Sequence, residues 1–172
     1  MVQRVGIVGC GNVSDIYILN AARYPAIEIT SCASRRRESA EATAGRHGLK
    51  AMDADQLIAS PEIDIVLNLT HPAAHAEVSL KAIAAGKHVY SEKPLAVSTA
   101  EGASILAAAD AKGLRVGVAP DTILGPGVQY ARELIAAGAT GAMVAGDSAV
   151  TSRRMDHHHP PPEFYYQGGA RP

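Results

Sequence analysis

From residue 2 to about residue 118, short continuous apolar runs alternate with longer stretches whose apolar positions recur at helical spacing. That alternation is the mark of βαβ units, and runs that are apolar throughout belong to parallel strands buried on both faces. The pattern predicts strands at Arg4–Val8, Ile27–Ala33, Lys50–Met52, Ile63–Leu69, His88–Tyr90 and Arg115–Val118. Between them it predicts helices near Asn12–Arg23, Arg37–His47, Ala54–Ala59, Ala73–Ala85 and Thr99–Ala111. The class is therefore α/β, a doubly wound parallel sheet.

Helix ends carry their own signals. Gly48, Gly86 and Gly113 each stand just before a predicted strand, where a helix C-terminus favours positive φ. Ser98-Thr-Ala-Glu101 fits a capping box, in which hydroxyl and carboxylate each satisfy a backbone donor of the other residue. After Pro120 the texture changes. Gly125–Gly141 reads as one more amphipathic helix closed by glycine, Ala142–Thr151 as a strand, and the proline- and histidine-rich remainder as loop. The expected organisation is an α/β domain over 1–122, followed by a linking helix, strand and loop over 123–172.

At 172 residues the chain suits one core of ordinary size. Its 16 basic and 17 acidic side chains leave a formal charge of -1, so no long-range field argues for nucleic acid or a membrane surface as partner. The N-terminal apolar run is too short and too glycine-broken for a signal peptide. No run approaches the roughly 18 apolar residues of a membrane-spanning helix, so the sequence predicts a cytoplasmic protein. Cys10 and Cys32 cannot form a disulfide framework, and both read as small buried apolar side chains. His157, His158 and His159 lack the companions of a tight metal site, so no metal is expected.

The first strand runs into Gly9-Cys-Gly11-Asn12-Val13-Ser14. In the dinucleotide fingerprint the first glycine permits a tight turn and the second lets the backbone approach a pyrophosphate. Gly9 and Gly11 fill those positions. Ser14 stands where the fingerprint expects a third glycine, for close packing of helix on strand. The helix beginning near Asn12 would turn unpaired N–H groups and a positive dipole end toward the phosphates.

About 25 residues on, where an acid would read the ribose 2′-hydroxyl of NAD, the chain has Ser34-Arg35-Arg36-Arg37. An acid would repel a 2′-phosphate, whereas Ser34 and Arg35 can donate to one, so the reading leans to NADP over NAD. Glu38, one residue beyond, is the side chain that could swing in and reverse it.

Ser91-Glu-Lys-Pro-Leu-Ala96 ends the fifth predicted strand. A surface turn would account for it, and so would a catalytic lysine at the carboxyl edge of a sheet. A lysine partly desolvated at a cleft can have its pKa lowered, take a hydroxyl proton as hydride leaves the carbon, or polarise a carbonyl in the reverse direction. Pro94 limits the backbone and tolerates a cis bond, which could aim Lys93.

With the glycine loop, Thr70-His-Pro72 with His75, and Glu92-Lys93-Pro94 in this order, residues 1 to about 145 resemble the Gfo/Idh/MocA oxidoreductase family. The resemblance implies hydride transfer between a nicotinamide and a hydroxyl-bearing or carbonyl carbon of a sugar, polyol or similar small molecule. It implies Lys93 as the catalytic lysine, Glu92 and Pro94 as its motif partners, and Thr70, Pro72 and His75 as the loop lining the cofactor cleft. Family members run to about twice this length, and their second α/β domain covers the active site and often forms the oligomer interface. The chain is thus expected to be a truncated member, to expose apolar surface, and to form a homo-oligomer. Two other readings stay open, a non-catalytic dinucleotide-binding module and a fragment without function. Asp121, Gln129 and Tyr130 follow the last strand and are candidates to face the cleft.

Overall fold

The structure is a computed structural model that describes residues 1–120, 122–149 and 151. Six parallel strands, β1 (Gln3–Val8), β2 (Ile27–Ala33), β3 (Lys50–Met52), β4 (Ile65–Asn68), β5 (His88–Ser91) and β6 (Val116–Val118), form one sheet in the order β3-β2-β1-β4-β5-β6. The strands are connected in sequence by α1 (Ser14–Ala21), α2 (Arg37–His47), α3 (Ala54–Ala59), α4 (Pro72–Ala84) and α5 (Thr99–Ala111). The strand order reverses between β1 and β4, which opens a crevice at the carboxyl ends of those strands.

The apolar runs of the sequence are continuous because both faces of the sheet are covered. Val5 and Ile7 of β1 and Leu67 of β4 join one core cluster with Cys32, Ala44 and Leu69, against which Tyr17 and Ile18 of α1 pack. The intervening residues Val8 and Val66 join the other cluster, with Leu57 and Ile58 of α3, Ala76, Ala82 and Ile83 of α4, and Ile105 and Ala109 of α5. Alternate residues of a strand point to opposite faces, so α1 and α2 cover one side and α3, α4 and α5 the other.

Several boundaries differ from the sequence reading for local reasons. The first helix starts at Ser14 rather than Asn12, because residues 11–13 make a turn closed by Ser14 N–H on the Gly11 carbonyl (3.1 Å). The Ser14 hydroxyl donates to the same carbonyl at 2.7 Å, and the residue is buried. Helix α4 starts one residue early because Pro72 needs no N–H acceptor at the first helical position, and His71 caps it by accepting from Ala73 N–H at 3.4 Å. The strand expected over Ile63–Leu69 pairs only over Ile65–Asn68. Of the capping box, one half forms: Glu101 N–H donates to the Ser98 hydroxyl at 3.2 Å, while Glu101 Oε2 is buried without a partner. Gly48, Gly86 and Gly113 have the positive φ expected of them.

A second compact unit begins at Pro120. It holds a short 3-10 turn (Thr122–Leu124) and α6 (Pro126–Ala136), shorter than the expected span to Gly141, with positive φ at Gly138 and Gly141 beyond it. The strand expected over Ala142–Thr151 is not present in residues 142–149. A strand is stable only on a partner's edge, and the described residues of this unit contain no other strand. Asp121 and the three histidines His157–His159 lie outside the described residues.

At the amino edge of the sheet, Arg4 binds Asp64 through backbone N (2.8 Å), Nε (3.0 Å) and Nη2 (2.9 Å). The Arg4 guanidinium and then its backbone N–H hold the Asp64 carboxyl at about 2. A carboxyl depressed in the folded state stabilises fully above its ordinary value and loses that contribution as pH falls through its folded value. Stability is therefore expected to decline between about pH 4 and pH 2. Asp64→Asn should flatten that part of a stability-against-pH curve; an unchanged slope in the variant would contradict the assignment.

Candidate functional site

The carboxyl ends of β1, β2 and β4 frame a cleft of about 390 Å³. The loop after β1 contributes Gly9, Cys10 and Gly11; the loop after β2 contributes Ser34, Arg35 and Arg36, with Ser39 from α2; the loop after β4 contributes Leu69, Thr70 and His71, with Ala74 from α4. Three loops far apart in sequence meet here because their strands are neighbours in the sheet, with Val8 opposite Ala33 and Asn68.

Gly9 makes the approach possible. Its φ is 114°, and a Cβ there would run into the Leu69 carbonyl and, at 2.8 Å, the Thr70 nitrogen. Its own N–H donates to the Ala33 carbonyl at 2.8 Å, so the residue locks all three loop origins together. Gly11 is the opposite case: a Cβ would meet nothing within 4 Å and would simply occupy the opening. Among the described residues, no acceptor is present for the N–H groups of Gly11, Asn12 and Val13. Three exposed backbone donors beside a glycine opening suit an anionic group such as a pyrophosphate.

The cations are arranged for the same purpose. Arg37 is drawn off by Glu41 (2.8 Å) and Asp53 (3.6 Å), while Arg35 and Arg36 make no ion pair among the described residues and line the cleft. Glu38 is exposed and outside the lining, and no carboxylate belongs to it. Cys10 departs from the buried pair expected from sequence: Cys32 is fully buried, but Cys10 is half-buried and lines the cleft. The neighbouring Cys32 thiol holds the Cys10 thiol below its ordinary value, while Cys10 Sγ itself donates to the Ala33 carbonyl at 3.4 Å.

The β4 loop is shaped from beneath by Asn68, which is fully buried. Its Nδ2 donates to the His75 carbonyl (3.1 Å) and Ser79 Oγ (3.2 Å), and its Oδ1 accepts from Thr70 N–H (3.3 Å) and Thr70 Oγ1 (2.6 Å). His75, also fully buried, faces two carbonyl oxygens, that of Thr70 from Nε2 at 2.9 Å and that of Pro94 from Nδ1 at 2.5 Å. A neutral ring has one N–H and serves one of them at a time.

The Lys93 loop follows β5 at the same edge of the sheet and is joined to the cleft indirectly. Glu92 N–H donates to the Asn68 carbonyl at 2.9 Å, and the Lys93–Pro94 peptide is cis. Lys93 is exposed, without the partial desolvation that a lysine enclosed in a cleft would have. Of the expected site residues, Gly9, Gly11, Ser34, Arg35 and Thr70 line the cleft itself. Asn12 and Val13 stand exposed at its helix side, Pro72 and His75 are buried beneath its rim, and Glu92, Lys93 and Pro94 form the adjacent loop. Sequence reasoning missed Arg36, Ser39 and His71 in the lining, and Asn68 and Tyr17 in support. A polar Asn68 at the end of an apolar strand was the one available signal.

Among the described residues no group of acidic, histidine or cysteine side chains is placed to hold a metal, and no helix is long and apolar enough to cross a membrane. Three relatives place the chain. It is 36% identical over 121 residues to inositol 2-dehydrogenase of Ralstonia nicotianae, covering 67% of this chain and 36% of that one. Its fold matches the WlbA dehydrogenase of Bordetella pertussis, solved with NADH and UDP-GlcNAcA, at TM-score 0.77 and 25% identity, over 82% of this chain and 44% of that one. It also matches KijD10, a 3-ketoreductase of Actinomadura kijaniata solved with NADP and TDP-benzene, at TM-score 0.73 and 29% identity, over 80% of this chain and 43% of that one. The chain spans less than half the length of the curated relatives it matches. The oxidoreductase family described as having an NAD-binding Rossmann fold matches residues 3–120. The chain belongs to the Gfo/Idh/MocA oxidoreductase family and carries its nicotinamide dinucleotide-binding domain.

Proposed function

We propose that this chain is the cofactor-binding part of an oxidoreductase that moves hydride between a nicotinamide and a hydroxyl or carbonyl carbon of a sugar, polyol or related small molecule. The observation that carries the reading is the cleft at the switch point, where free backbone donors at Gly11–Val13 and unpaired Arg35 and Arg36 converge on one opening. Residues 1–122 then form the binding domain and 123–172 the opening of a second domain. Relatives named as an inositol 2-dehydrogenase and a dTDP-3,4-didehydro-2,6-dideoxy-alpha-D-glucose 3-reductase support the substrate class, and cytoplasmic work with a diffusible dinucleotide goes with it.

The nicotinamide, when bound, supplies the hydride acceptor or donor. The chain's own residues divide the remaining tasks. The Gly9–Gly11 loop, with Asn12 and Val13, holds the pyrophosphate by backbone N–H groups; Ser34 and Arg35, with Arg36 and Ser39, take the ribose side. Thr70, set by Asn68, Pro72 and His75, borders the nicotinamide end. Lys93 takes the hydroxyl proton in oxidation and returns it to the carbonyl oxygen in reduction.

NADP is the favoured cofactor, because two arginines and no carboxylate line the opening. NADPH is expected to bind more tightly than NADH at moderate salt, and Arg35→Ala to cost roughly tenfold in NADPH affinity with little change for NADH. Tighter NADH binding would overturn the preference, and binding of neither would overturn the site. A second reading, a dinucleotide-binding module without turnover, is favoured by the exposed Lys93. NADPH oxidation with a panel of aldoses and keto-sugars separates the two: a rate above buffer supports the enzyme, and intact binding without any rate supports the module.

Self-association is part of the proposal. In the second unit Ile123, Leu124, Val128, Tyr130, Leu134 and Ile135 are all exposed, and apolar surface of that extent favours a partner copy. A mass above the monomer is expected by light scattering at high concentration; a strictly monomeric mass would contradict it.

A further inference from the structure

Glu92 is the middle of a bridge that the glycine and lysine motifs do not disclose. Its Oε1 accepts from the Tyr17 hydroxyl at 2.8 Å, across 75 residues of sequence, and its Oε2 accepts from the Lys93 backbone N–H at 3.0 Å. Both oxygens of the carboxylate are thus engaged in holding the loop that carries Lys93. Tyr17 is a stiff anchor, since its ring packs on the core cluster formed by Val5, Ile7, Leu67 and Leu69 and only the hydroxyl reaches outward. A half-buried tyrosine ring packed on a core loses little further freedom when its hydroxyl makes such a contact. The helix bearing Tyr17 is also the one that begins at Ser14, directly behind the glycine loop.

We infer that Tyr17 is a positioning residue for Lys93, acting through the Glu92 carboxylate and tying the lysine loop to the helix of the nucleotide loop. The geometry gives Glu92 a structural task in place of proton transfer: a carboxylate that accepts two hydrogen bonds is held in one rotamer and fixes the peptide that follows it. Glu92 N–H on the Asn68 carbonyl supplies the third point of support, so the loop is located by α1 on one side and β4 on the other. Nucleotide seated on the glycine loop would thereby be in register with Lys93. This inference rests on the proposed role of Lys93 in the reaction.

Tyr17→Phe removes the hydroxyl and leaves the ring packed, and Glu92→Gln leaves one oxygen to serve two donors. Amide hydrogen exchange of the nucleotide-free chain is the direct test. Exchange at the Lys93 amide should rise roughly tenfold in Tyr17→Phe, with the amides of β1 and β4 unchanged. The Tyr17→Phe/Glu92→Gln double variant should be no faster at Lys93 than the faster single variant. An unchanged Lys93 amide, additive effects, or a rise spread equally through the sheet would each overturn the inference. A second readout follows Lys93 itself: after 13C reductive methylation, its resonance, assigned by its absence in Lys93→Arg, should shift at saturating NADPH in the wild type, and Tyr17→Phe should abolish the shift. The same shift in the variant would also overturn it. A wild-type chain that fails to bind NADPH sinks the function reading alone, and the exchange ratio still decides the role of Tyr17.

Discussion

Gly9→Ala is expected to lower stability by about 3 kcal/mol and to abolish nucleotide binding. Two costs combine. The φ of 114° lies where an L side chain is strained, and the new methyl would press on backbone atoms of Leu69 and Thr70, which cannot swing aside as a flexible side chain could. The only relief is to part the carboxyl ends of β1 and β4, and that widens the floor of the cleft. Gly11→Ala is the matched control, because its methyl meets nothing and its φ is unremarkable for any residue. Its stability should stay within about 0.5 kcal/mol of wild type, while NADPH affinity falls because the methyl stands where the pyrophosphate must approach. Urea denaturation and NADPH titration of both variants check the pair; equal stability losses would contradict the geometry at Gly9.

Asn68→Leu should be nearly as damaging to the fold, at about 3 kcal/mol. The substitution fills a similar volume but takes the partner from the buried Ser79 hydroxyl, removes the side-chain donor from the His75 carbonyl, and leaves two half-buried Thr70 groups without their acceptor. Unsatisfied buried polar groups cost more than the hydrogen bonds themselves return. Thr70→Val, which removes one hydroxyl from the same network, should cost about 1 kcal/mol. The loss of loop shape should also weaken NADPH binding in Asn68→Leu. A thermal denaturation midpoint indistinguishable from wild type would show that the network does not hold the β4 loop.

The difference between Gly9 and Asn68 marks what the sequence made legible. Gly9 announced itself by position, at the end of an apolar run and two residues before another glycine, and the structure gives it the conformation that only glycine accepts easily. The doubly wound sheet was legible for a related reason: burial on both faces leaves continuous apolar runs, and these survive as a pattern without any knowledge of neighbours. Asn68 shows locally only as a polar residue at the end of an apolar strand, and its meaning lies in contacts to residues up to 11 positions away. Tyr17 is further still, with its partner Glu92 reached only through the fold.

Local motifs also mislead where a tertiary surface decides. The Glu92-Lys93-Pro94 motif suits either a surface turn or a lysine partly desolvated at a cleft, and the structure leaves Lys93 exposed. Ala142–Thr151 reads as a strand from its composition, but composition cannot supply an edge to pair with. Arg37 looks equal to Arg35 and Arg36 in sequence; the carboxylates of Glu41 and Asp53 remove it from the cleft. In each case the missing information is a neighbour, and the Ser98–Glu101 capping box, half formed, shows the same limit on the scale of one helix turn.

The central claim is that a dinucleotide seats on the glycine loop between Arg35 and Thr70. Titrating 15N-labelled chain with NADPH and mapping backbone amide shifts tests it most directly. The account predicts saturable changes at Gly9–Val13, Ser34–Arg36 and Thr70, with the largest at the three unpaired amides of Gly11, Asn12 and Val13. Saturable changes confined to other parts of the chain, or none at millimolar NADPH, would contradict it.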